Sequence, residues 1–143
     1  MFFAKSIAQL YDYIDAQVTA LTESIAELKW YDRGDLTNYD YQSVDLTKDG
    51  FYQLLDLSAI IGTGKKLLCI RVRINDSAGG KAAKFRTYGN EYETNMGVAY
   101  TQVANKTCEQ NVWVYCDIDG KIEYAFDSAT WNVIALCVRG WFN

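Results

Sequence analysis

The chain has no histidine and no proline, and its four cysteines do not have the spacing of a zinc site. Histidine is the commonest general base and metal ligand in proteins, so its absence argues against an enzyme and against a metal centre. A nucleophilic triad of the usual kind is excluded, because no serine or cysteine has a histidine to activate it. We therefore expect neither catalytic residues nor a cofactor.

Long apolar runs are missing as well. No continuous apolar stretch reaches the length of a membrane span, and the N-terminus does not resemble a signal peptide. We expect that the protein is made in a cytoplasm and does not insert into a membrane. Cys69, Cys116 and Cys137 lie in strand-like runs and are expected to be buried thiols. The net charge of −4 and the absence of clustered Lys and Arg also argue against a nucleic-acid partner.

The N-terminal segment carries a regular apolar stripe. Its members recur every three or four residues: Phe3, Ile7, Leu10, Ile14, Val18, Leu21, Ile25 and Leu28. Because the stripe is narrow and heptad-like, it predicts a helix that buries itself against copies of itself. Isoleucine and leucine mix along this seam, which favours a trimer over a dimer. The alternative is a helix packed on the rest of its own chain.

Two adjoining four-residue steps, from Leu10 through Ile14 to Val18, interrupt the heptad pattern. Such a stutter locally unwinds a left-handed coiled coil.

The pattern changes after the helix. We predict a helix over residues 1–30 for oligomerisation or anchoring, a linker over 31–41 and a β-sandwich head over 42–143. Eight strand-like runs separated by turn residues follow the linker, at about 41–47, 51–57, 66–75, 82–88, 98–104, 111–118, 121–126 and 132–142. The predicted fold is thus mainly β: a trimeric coiled-coil-like helix followed by an antiparallel, jelly-roll-like sandwich.

Alternation within two runs predicts which faces are buried. Leu68, Ile70, Val72 and Ile74 share one face of their run, as a half-buried strand requires. In the later run, the expected core side chains are Val112, Val114, Cys116 and Ile118, with Trp113 and Tyr115 on the opposite face. Asp119-Gly120 is a two-residue hairpin signal.

Exposed aromatic residues are the candidate recognition surface. A platform for sugar rings, or a contact between subunits, is predicted from Tyr88, Tyr92, Tyr100, Trp113 and Tyr115. Residues 88–96 form the candidate loop for an exposed recognition edge.

Two short motifs fail as ligand sites. The segment Gly62–Lys65 is similar to the end of a phosphate-binding loop, but Ala59 and Lys66 stand where glycine and Ser or Thr are needed. Asp117 and Asp119 have the spacing of calcium ligands, yet no glutamate follows at the required position.

The order of features from Asp56 to Phe142 resembles the C-terminal β-domain of small bacteriophage fibre, tail and head-decoration proteins. The resemblance rests on hairpins and core aromatics in Asp56–Ile60, Leu67–Ser77, Phe85–Arg86, Gly89–Asn90, Val112–Val114, Cys116–Tyr124, Trp131 and Val138–Trp141. It implies a homotrimer in which an N-terminal segment attaches to the particle and a β-sandwich head faces outward. No catalytic residue carries over.

The expected function is a non-enzymatic structural component of a phage virion, assembled in the bacterial cytoplasm. Head fibre, decoration protein and short tail fibre remain open, as do capsid, tail or portal proteins as partners. A host surface polysaccharide is a further candidate partner. The alternative is a carbohydrate-binding β-sandwich module that is not part of a virion.

Overall fold

A computed structural model describes residues 6–27, 29–127 and 130–143, with the side chains of the first helix described as far as residue 24. The first helix, α1, spans Ile7–Glu27. Ser6 caps it: the Gln9 amide donates to Ser6 Oγ at 3.3 Å, and the Ser6 amide donates to Gln9 Oε1 at 3.0 Å. This capping box satisfies donors that a helix N-terminus leaves free. The predicted long N-terminal helix is confirmed; Phe3 and Leu28 lie outside the described residues.

Beyond α1 the described residues are mainly strands. They are β1 (Trp30–Asp32), β2 (Tyr41–Gln42), β3 (Gln53–Asp56), β4 (Leu67–Asp76), β5 (Ala82–Thr87), β6 (Gly97–Tyr100), β7 (Cys108–Tyr115), β8 (Lys121–Phe126) and β9 (Trp131–Phe142). A 3-10 turn at Ser43–Asp45 and a one-turn helix, α2 (Ser58–Ile61), interrupt them.

The strands form two antiparallel sheets. Sheet I has the order β1-β9-β4-β7, with β2 also paired to β9, and sheet II has the order β3-β8-β5-β6. The mainly β prediction is therefore confirmed. The chain passes from one sheet to the other at most connections, which brings the two sheets together in a sandwich-like arrangement.

One hydrophobic core draws on both sheets. From β4, the four side chains predicted to face inward are at most 1% exposed: Leu68, Ile70, Val72 and Ile74. Sheet II contributes Phe85 and Phe126, which meet edge to face with ring centroids 6.3 Å apart. Alternation along a strand determined this face correctly because successive side chains point to opposite sides.

The predicted linker, residues 31–41, contributes two short strands to sheet I. Tyr31 pairs with Trp141 in β1, and Tyr41 pairs with Leu136 in β2. Both fit along one edge of β9 because that strand is 12 residues long. The residues between them leave the edge as a loop.

Two local expectations were wrong near residue 118. The Asp119-Gly120 turn does not join a hairpin, because β7 pairs within sheet I and β8 within sheet II. Instead, Asp117 Oδ1 accepts the Asp119 and Lys121 amides and turns the chain between the sheets. Ile118 lies in this turn with 62% of its surface exposed, so it does not belong to the core face.

Candidate functional site

The apolar stripe of α1 is solvent-exposed in the single chain. The stripe members with described side chains are 45–75% exposed: Ile7, Leu10, Ile14, Val18 and Leu21. Every described side chain of α1 is exposed, so this part of the helix does not pack on its own sandwich. Ile25 belongs to the helix, but its side chain lies outside the description.

Tyr11 extends the stripe and was not among the predicted seam residues. It lies one helical turn after Ile7 and is 63% exposed. Its position so close to the seam gives the described part of α1 a broader apolar face than the heptad pattern alone indicates.

An aromatic cluster lies on the outer face of sheet I, at the end where α1 leads into β1. We define it as Trp30, Trp113 and Phe142. The Trp30 ring centroid is 5.1 Å from that of Phe142 and 6.0 Å from that of Trp113. The Trp113 and Phe142 rings are inclined by 22° with centroids 6.3 Å apart, within the range of stacked aromatic pairs. Trp113 remains 48% exposed.

Gly140 permits this cluster to form. A Cβ at position 140 would overlap the Tyr31 carbonyl oxygen and the Trp30 ring. The absence of a side chain in β9 therefore lets the Trp30 indole lie against the strand and reach towards Trp113. A glycine inside an otherwise apolar strand is a signal of such close approach.

The five predicted surface aromatics are all exposed, but they do not form one platform. Trp113 and Tyr115 share the outer face of β7, opposite buried Val112 and Val114. Tyr100 ends β6 in the other sheet, whereas Tyr88 and Tyr92 lie in the loop after β5. Of the five, Trp113 belongs to the aromatic cluster, and Tyr115 follows two residues later on the same strand face.

The loop with Tyr88 and Tyr92 is fastened to sheet II. Arg86 lies over the Tyr52 ring, 3.6 Å from its centroid, and donates to the Glu91 carbonyl at 3.2 Å. The Tyr52 hydroxyl donates to Glu93 Oε1 at 2.9 Å. Burial, together with this bond, raises the pKa of Tyr52 to about 12. The loop predicted as a recognition edge is therefore attached to sheet II by these side-chain contacts.

A polar groove of about 440 Å³ occupies the outer face of sheet I beside the aromatic cluster. Residues 34–39 form one side, and the sheet supplies the other through Arg71, Cys137 and Arg139. Asp32 and Asp35 also line it. Arg139 is the extra residue of a bulge in β9, because Cys69 pairs with Gly140 while Ile70 pairs with Val138.

The base of the loop is clamped to β9. Arg33 Nη1 donates to Asp40 Oδ2 at 2.5 Å and to the Val138 carbonyl at 2.9 Å. The Val138 amide donates to the same Asp40 oxygen at 2.8 Å. The half-buried Arg33–Asp40 pair thus ties both ends of the loop over residues 34–39 to Val138 of β9. The groove is therefore formed without a ligand.

The far side of the loop is held to the opposite edge of sheet I. The Tyr39 hydroxyl donates to Glu109 Oε1 at 3.3 Å, and Arg71 forms an ion pair with Glu109 Oε2. The Arg71 hydrogen bond is the main reason that the pKa of Glu109 lies below its usual range. Tyr39 thereby draws the loop across β9 and β4 towards β7.

The cysteines of this region are not activated. All four cysteines lie within the described residues and are free thiols. Burial raises the pKa of Cys69 and Cys137, which lie on or near the groove floor, in spite of the neighbouring Arg139 charge. Among the described residues, no three His, Cys, Asp or Glu side chains are grouped as a metal site requires.

Sequence reasoning missed the groove and two members of the aromatic cluster. Trp30 stood at the end of the predicted helical segment, residues 1–30, and Phe142 was identified only as part of the last strand. No local pattern unites Asp32 with Arg139, because strand pairing alone brings them together.

Neither helix in the described part of the chain is long and apolar enough to span a bilayer. Comparison with protein-family models and with curated proteins finds no match to this chain.

Proposed function

We propose that this protein is a non-enzymatic structural component of a phage virion that assembles as a homotrimer through α1 and displays its β-domain. The observation that carries the proposal is the exposed apolar stripe on a helix whose described side chains make no buried contact with the sandwich. Helices in proteins gain most of their stability by packing an amphipathic face, so the apolar face of this 21-residue helix needs a partner.

A second copy of the same helix is the partner that the stripe fits. Side chains at three- and four-residue intervals interdigitate in a coiled coil, and the stripe carries both isoleucine and leucine, as trimers tolerate. Burying each large aliphatic side chain contributes on the order of 1.5–3 kcal/mol when it is fully exposed beforehand. Association would therefore also stabilise the helix.

The head supports this role by its topology. Strands β2 to β9 cross repeatedly between the two antiparallel sheets, which supports a jelly-roll-like head. Jelly rolls recur in capsid and lectin domains. The virion setting itself rests on the resemblance of residues 56–142 to phage fibre and decoration domains, with the choice among head fibre, decoration protein and short tail fibre open.

Two measurements test the proposal. Sedimentation equilibrium of the full chain at micromolar concentration should give the mass of a trimer, and a monomer would refute the assembly. Mass spectrometry of phage particles purified from infected bacteria should detect the chain at a fixed ratio to the major capsid protein. Its absence from every particle carrying its gene would refute the virion role.

A carbohydrate-binding role is the second candidate function. It is favoured by the exposure of Trp113 and Tyr115 on one face, 48% and 52% respectively. Aromatic faces carry partial negative charge and attract the C–H groups of sugar rings. Loss of glycan binding in Trp113→Ala and Tyr115→Ala, with binding kept in Tyr92→Ala, is the expected result.

A further inference from the structure

The polar groove and the aromatic cluster are parts of one surface. Asp32 lines the groove and pairs in register with Gly140. The Trp30 ring lies against Gly140, and its far side meets Trp113. Adjacent strands are about 4.8 Å apart, so the path from Asp32 across β9 and β4 to Trp113 covers about 14 Å.

We infer that this surface binds a neutral oligosaccharide, with its polar end in the groove between residues 34–39 and sheet I and its apolar ring faces on the aromatic cluster. The inference deepens the second candidate function and rests on its premise that the outer face of sheet I contacts glycans. It assigns the polar half of the binding site to the groove residues, which were not among the predicted surface aromatics. A volume of about 440 Å³ suits such a ligand.

The charges of the groove select a neutral ligand. Its lining contains two carboxylates, Asp32 and Asp35, and two guanidinium groups, Arg71 and Arg139. Sugar hydroxyls both donate and accept, so they can bond to both kinds of group. Because the lining holds equal numbers of the two charges, a charged ligand meets repulsion as well as attraction there, whereas a neutral ligand meets no charge repulsion.

Arg139 is the groove residue best placed to contact the ligand. It is exposed, and no ion pair or side-chain hydrogen bond joins its guanidinium to another described residue. Arg71, by contrast, already shares Glu109. The bulge in β9 aims Arg139 differently from its neighbours, which is how bulges commonly redirect a side chain at a functional site.

The groove is preformed, which lowers the entropic cost of binding. The Arg33–Asp40 ion pair fixes the base of the loop, and the Tyr39–Glu109 hydrogen bond fixes its crossing of the sheet. A ligand therefore need not order this loop on arrival. The three rings of the aromatic cluster also pack against one another, so a ligand need not order them.

The test uses the full chain in isothermal titration calorimetry with neutral hexasaccharides of glucose, mannose and N-acetylglucosamine, beside oligogalacturonate and oligosialic acid. At least one neutral probe should bind, with an affinity that falls about tenfold or more in Arg139→Ala and in Asp35→Asn. The matched control is Lys106→Ala, an exposed cation in the β6–β7 loop away from the groove, which should bind as wild type does. Circular dichroism checks that each variant is folded.

Three outcomes overturn the inference: no neutral probe binds at millimolar concentration, only the acidic probes bind, or Arg139→Ala binds as tightly as wild type. The last result, together with lost binding in Trp113→Ala, would leave the second candidate function standing without the groove. Sedimentation of the same samples separates the assembly proposal, since a monomer that binds through Arg139 would refute the trimer and support the site.

Discussion

Replacing Leu10 and Leu21 together by glutamine should dissociate the proposed trimer while leaving the head intact. Both leucines lie on the apolar stripe, and neither touches the sandwich core. Glutamine keeps helix propensity close to that of leucine. The substitution thus removes apolar surface from the seam without a strong local effect on the helix.

The expected magnitude follows from the exposure of the two side chains. Leu10 is 52% exposed and Leu21 is 63% exposed in the single chain. Complete burial of a fully exposed leucine contributes about 1.5–3 kcal/mol, so burying what remains contributes about 1–2 kcal/mol for each. Over three chains, the double substitution therefore removes about 6–12 kcal/mol from the trimer.

That free energy corresponds to about four to nine powers of ten in the trimer dissociation constant. Because this constant scales with the square of concentration, the concentration of half-assembly should rise by about two to four powers of ten. Sedimentation equilibrium over a dilution series measures this midpoint directly.

The matched control is Ala16→Gln with Thr19→Gln, which introduces the same residue twice on the opposite face of α1. It should assemble as wild type does. Equal midpoints for wild type and the Leu10→Gln, Leu21→Gln variant would refute the reasoning, because the stripe would then contribute nothing to assembly.

Three further predictions concern the head. Gly140→Ala should lower the free energy of unfolding by about 1–3 kcal/mol in urea titrations, because its Cβ would overlap the Tyr31 carbonyl and the Trp30 ring; an unchanged midpoint would contradict the close approach. Because the pKa of Glu109 is lowered in the folded chain, its carboxylate stabilises the fold above the unfolded-state pKa, and this stabilisation is lost as pH falls through the folded-state pKa. Glu109→Gln should therefore flatten the acid limb of a curve of unfolding free energy against pH. The pKa of Tyr52, raised from 10.0 to about 12, contributes stability below pH 10 that is lost as pH rises towards 12. Tyr52→Phe should remove that alkaline loss, and an identical alkaline limb in the variant would count against the assignment.

Local patterns were reliable where a single element determines the outcome. The inward face of β4 followed from alternation, because side chains of a strand point to opposite sides whatever the strand pairs with. The helix followed from its periodicity, because apolar residues at three- and four-residue intervals share one face of a helix. The hairpin at Asp119-Gly120 failed, since turn residues specify a reversal but not which sheet the next strand joins.

Strand β1 was missed for a related reason. Trp30–Asp32 is too short to be recognised as a strand and forms because β9 offers it an edge, whereas Tyr41–Gln42 begins a run that was predicted as a strand. Partner strands at the other end of the chain are invisible to a window of neighbouring residues. The groove depends on the same pairing, and so could not be foreseen.

The sequence by itself determined that α1 is a helix with one apolar face and that a β-rich domain follows, because both depend on the spacing of neighbouring side chains. Only the tertiary structure decided that the stripe stays uncovered by the sandwich and that Asp32 lies beside Arg139 in one groove. Those two residues are brought together by antiparallel pairing of β1 with β9 and by a bulge in the latter. Contacts between distant segments arise from the whole set of strand pairings, and no local stretch of the chain encodes that set.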